Sequence, residues 1–77
     1  MKMQTKAERA RDAALLSLDR DRILTYCRRY NVHLSDPDEA VFWRNVHKAR
    51  LHTPTLPESA RRESAYWLRR HGYPVGY

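Results

Sequence analysis

Glycine is nearly absent from this chain: Gly72 and Gly76 are the only two in 77 residues. They are too few and too late for a glycine loop that cradles phosphate, and no glycine turn of the helix-turn-helix kind can be placed. Cysteine is limited to Cys27, which excludes an internal disulfide framework and fits a reduced setting. Long apolar runs are missing too. The longest near the start, Ala13-Ala14-Leu15-Leu16, is too short for a signal peptide's hydrophobic region or a membrane span. Glu8 and Asp12 speak against a cleaved organelle presequence, because such segments avoid acids. A cytoplasmic protein without a membrane partner is the expectation.

The same scarcity extends to chemistry. His33, His47, His52 and His71, taken with Cys27, give no i,i+4 histidine pair and no paired-cysteine spacing, so no metal or other cofactor is expected. Cys27 would need a histidine brought to it in space, no motif marks an oxyanion hole, and the acids read as helix caps. A chain this short also has little room for a cleft. The expectation is a protein that is not an enzyme.

Acidic residues are scarce in one half only. Residues 1–39 carry eight basic and seven acidic side chains, whereas residues 40–77 carry seven and two, so most of the net +6 lies in the second half. A lopsided basic half suits an anionic partner: nucleic acid or an acidic protein surface. The competing explanation is a solvated surface that keeps a small domain soluble.

What is present is helical punctuation. Residues 1–4 are expected to fray. Thr5-Lys6-Ala7-Glu8 has the spacing of a capping box, and an alanine-rich helix follows over 6–17. A break near Ser17, with Ser17 as cap, would begin a helix over 18–30, with Asp19 and Asp21 in its first turn and Arg28-Arg29 in its last. Asn31 suits a left-handed stop. One unbroken helix over 6–30 is the alternative. Asp36 as cap, Pro37 at the first helical position and Glu39 as capping-box partner predict a helix over 37–51. A linker, 53–57, leads to a third main helix over 57–71, started by Pro57 and stopped by Gly72. The tail 73–77 either folds back or stays mobile.

The fold class is therefore all-α, a small three-helix bundle or helical array with an additional N-terminal helix. We divide it into an extension, 1–17, and a helical domain, 18–77. Ile23, Leu24, Cys27, Tyr30, Phe42, Val46, Trp67 and Leu68 are the predicted core. So small a core would gain from a homodimer, which buries more surface.

The last helix carries the candidate site. Arg62, Tyr66, Arg69 and Tyr73 follow one helical line, with Arg61 and Arg70 alongside. Arginine forks pair with phosphates, and an interleaved tyrosine can stack on a base. Arg44 and Lys48, with His52, form a second basic line that would border the first if the two helices pack antiparallel.

The run FWRNVHKARLHTPTLPESARRESAYWLRRHGYP resembles small helical proteins encoded by bacteriophages and prophages, with an aromatic pair, a VHKAR-like segment, a proline-bearing loop and a WL…G ending. The resemblance spans about half the chain. It implies an accessory protein of a bacterial host cytoplasm that binds nucleic acid or blocks a host protein, with Val46, His47, Lys48, Ala49 and Arg50 serving packing or contact. The leading expectation is a nucleic-acid-binding module using Arg44, Lys48, Arg61, Arg62, Tyr66, Arg69 and Arg70. The alternative is a small inhibitor or adaptor that binds a host protein.

Overall fold

A computed structural model describes residues 4–75. Among them the chain is all-helical, with four helices and no strand: α1 (Lys6–Ser17), α2 (Arg20–Tyr30), α3 (Glu39–Leu51) and α4 (Glu58–Arg70). The chain divides into two compact units, Met1–His33 and Leu34–Tyr77. The fraying expected at the start falls mostly on residues 1–3, outside the described residues.

In the first unit α1 packs on α2. The Thr5 hydroxyl accepts from the Glu8 amide and the Glu8 carboxylate accepts from the Thr5 amide, each at 3.1 Å. These two bonds complete the capping box. The same bonds hold the Glu8 carboxyl below its ordinary titration range. Ala10, Ala13 and Ala14 of α1 face Thr25, Tyr26 and Tyr30 of α2 across a depression of about 360 Å³. Alanine keeps that wall low; burial in α1 falls to Ala14 and Leu15.

The helix does break between α1 and α2, at Leu18, whose φ is 51°. Ser17 is not the cap of α2. Its hydroxyl donates back to the Ala14 carbonyl at 2.7 Å, and Asp19 is the cap, accepting from the amides of Asp21 and Arg22 at 2.9 and 3.2 Å. Asn31 ends α2 in the left-handed conformation, φ 55°, and the Val32 amide closes the turn on the Cys27 carbonyl. Ile23 and Cys27 are buried, while Leu24 and Tyr30, expected in the core, are half-buried.

In the second unit α3 starts two residues later than expected. Asp36 makes a side-chain turn with the Asp38 amide, and Asp38 is the cap, accepting from Ala40 at 2.9 Å. Glu39 is then the first helical residue and accepts from the Trp43 indole at 3.2 Å instead of closing a capping box.

The segment between α3 and α4 is more than a linker. Thr53 and Leu56 are both buried, and the Leu56 amide bonds the Thr53 carbonyl at 3.1 Å. Pro57 sits at the N-cap of α4 and supplies no side-chain cap; its carbonyl accepts from Ala60 and Arg61. Gly72, at φ 77°, turns the chain out of α4. The tail then folds back: Tyr73 and Val75 pack on Leu51, Ala65 and Leu68. Gly76 and Tyr77 lie outside the described residues.

Candidate nucleic-acid interface

A buried polar centre fixes α4 against α3 and so decides which side chains α4 turns outward. Ser64 is fully buried and meets two residues of α3. His47 Nδ1 lies 3.0 Å from its hydroxyl, and Arg50 Nη1 donates to it at 3.1 Å. The same Arg50 nitrogen donates to Glu63 at 2.9 Å. The arrangement that uses every group has Ser64 donating to Nδ1 of a neutral His47, because Arg50 has only donors. His47 is indeed held down, to about 4, first by burial and then by the Arg50 guanidinium, with Glu63 pulling the other way.

Aromatic rings extend this contact. Trp67 stacks on His47 at 4.3 Å between centroids and on His71 at 3.9 Å. Tyr73 lies nearly parallel to Trp67 at 6.1 Å. The partners run 50 with 63–64, 47 with 64 and 67, and 44 with 73, so α3 and α4 are antiparallel. Trp67, expected in the core, is half-buried: it packs beside the buried Leu51, Ala65 and Leu68 and carries the stacked rings of His47 and His71.

This centre was not legible as such in the sequence. Arg50 reads as a cation favouring the helix C-terminus, yet it is 3% exposed. His47 reads as a border residue and is buried. The signal that points to them is the i,i+3 ladder Arg44, His47, Arg50, set opposite the small residues Ala60 and Ser64. The VHKAR segment is thereby divided: Val46, His47 and Arg50 pack, Ala49 is half-buried and Lys48 is exposed. The buried Ser64–His47 pair resembles a nucleophile and base, but the Ser64 hydroxyl faces no solvent from which a substrate could reach it.

With Ala60, Ser64, Ala65 and Leu68 turned inward and Arg61 and Trp67 half-buried, the exposed positions of α4 are Glu58, Ser59, Arg62, Glu63, Tyr66, Arg69 and Arg70. Arg61, Arg62 and Arg69 line one open depression of about 450 Å³, together with Glu58, Leu51 and Ala65. Arg61 Nε donates to the Leu56 carbonyl at 3.3 Å, and Arg62 pairs with Glu58 at 2.8 Å. Tyr66 and Arg70 form a separate pair beside it. Arg70 donates to the Tyr66 hydroxyl at 3.2 Å, and its guanidinium stands 5.7 Å from the ring centroid.

The α3 residues do not join them. Arg44 is half-buried under Tyr73, 5.9 Å from that ring's centroid. It donates to Asn45 at 3.3 Å, and its Nε is buried with no hydrogen-bond partner among the described residues. Arg44 therefore serves packing more than the outward line expected of it. Lys48 is exposed, but it does not line the depression. Among the described residues no cluster of three or more His, Cys, Asp or Glu could hold a metal ion, and no helix is long and apolar enough to cross a membrane. No family model, curated protein or solved structure matches this chain.

Proposed function

We propose that the chain is a non-enzymatic accessory protein of the phage type that binds nucleic acid through α4. The observation that carries this reading is the depression shared by Arg61, Arg62 and Arg69. Three guanidinium groups are held along one helix face with a single acid among them, and guanidinium forks match phosphate oxygens two bonds at a time. The surrounding charge agrees, since residues 40–77 contain only two acids, Glu58 and Glu63. Glu63 is already engaged by Arg50, so it does little to cancel the outward charge.

Binding of this kind depends on salt, because each phosphate neutralised releases a counterion. Fluorescence anisotropy with labelled DNA and RNA across a salt series tests it. Arg61→Ala and Arg69→Ala are each expected to lower the slope of log affinity against log salt by about one. Absence of binding to both nucleic acids at low salt, with the chain folded by circular dichroism, overturns the reading.

A further inference from the structure

Tyr66 is the most exposed large hydrophobic side chain among the described residues, at 59%. An exposed aromatic on a helix is ordinary where it lies against a neighbour, but here the neighbour leaves a face open. Arg70 takes the hydroxyl as its acceptor and places its cation against the ring. The hydroxyl is thus already engaged, and what Tyr66 offers a ligand is chiefly the flat of its ring.

Two arginines that line the depression, Arg62 and Arg69, are neighbours of Tyr66 along α4. Arg62 is one helical turn before Tyr66 and Arg69 is three residues after it, offsets of about 6 and 4.5 Å along the axis. Both lie on the side of α4 next to Tyr66, within the face that α4 turns away from α3. A cationic groove bordered by a stacking ring is the arrangement that holds unpaired nucleotides: the backbone follows the charge and a base lies on the ring. A duplex uses only half of it, because its bases are already stacked on one another and present edges, not faces.

We infer that the nucleic acid bound by this surface is single-stranded, with an unpaired base stacked on Tyr66 and its flanking phosphates held by Arg62 and Arg69. This rests on the nucleic-acid reading above. Arg70, bonded to the hydroxyl of the ring, adds positive charge near the edge of the stacked base.

The test is competition between oligothymidylate, oligouridylate and a DNA duplex of matched phosphate number, at one fixed salt concentration, read by anisotropy. Preference for both single strands over the duplex is expected. Tyr66→Ala should lower single-strand affinity about tenfold, the effect of losing one base–aromatic stack, and move the single-strand to duplex ratio toward one. Tyr66→Phe keeps the ring and should restore the preference. Because Tyr66 is exposed, circular dichroism of both variants should match the parent. Equal binding of duplex and single strand by the parent, or a ratio that Tyr66→Ala leaves in place, overturns the single-strand inference while leaving the arginine surface as a phosphate site. Failure of every oligonucleotide to bind overturns both.

Discussion

Protonating His47 should cost this fold stability, and the sign follows from its surroundings. Burial first, and then the Arg50 guanidinium, depress the imidazole from 6.5 to about 4. Between those two values the unfolded chain takes up a proton that the folded chain refuses. The stabilising contribution is therefore complete above the unfolded value and declines as pH falls toward the folded one. A shift of this size corresponds to a loss on the order of 3 kcal/mol. Urea unfolding of the parent and of His47→Gln, compared from pH 4 to pH 6.5, should show a steeper slope in the parent than in the variant. Equal slopes would place the sensitivity on another group. Arg50 shows a related trade at the same scale. A buried guanidinium is tolerated because Ser64 and Glu63 accept from it, yet its Nε has no partner among the described residues, and such atoms are costly to bury.

At the scale of elements, helix ends separate what is local from what is not. The capping box of Thr5 and Glu8, the left-handed stop at Asn31 and the turn at Gly72 are all written in adjacent residues, and each is read directly from the chain. Leu18 is different. A left-handed leucine is disfavoured by roughly 1–2 kcal/mol because its Cβ crowds the carbonyl, so nothing local announces it. It is held there because Ser17 closes α1 and Asp19 opens α2 immediately around it. Leu18→Gly should therefore raise the unfolding free energy by about 1 kcal/mol, net of the flexibility it gives the unfolded chain. A fall in the urea midpoint would show that the exposed leucine side chain contributes more than its backbone costs. The start of α3 moved for a comparable reason: Asp36 and Asp38 compete as caps, and sequence alone does not say which carboxylate takes the turn. In α4 the residues turned inward are Ala60, Ser64, Ala65 and Leu68, and the partners of Ser64, His47 and Arg50, depend on tertiary packing.

For the molecule as a whole, the distribution of charge matters more than its total. In the second half one acid, Glu63, is taken up by a buried arginine, and the other, Glu58, lines the arginine depression and pairs with Arg62. Glu58 thus acts against an anionic ligand. Glu58→Gln should strengthen nucleic-acid binding about threefold, in line with the modest worth of an exposed ion pair, when measured by the same anisotropy titrations. Unchanged or weaker binding would move the contact away from this face of α4.

The stacking of Trp67 on two histidine rings has an optical consequence. A protonated imidazole lying flat on an indole is an efficient quencher of its emission, and here two imidazole rings stack on one indole. Trp43 is the only other tryptophan, so a Trp43→Phe background would leave a single emitter. Its brightness would then register the gain of a proton by His47 and the parting of α3 from α4, with no label attached.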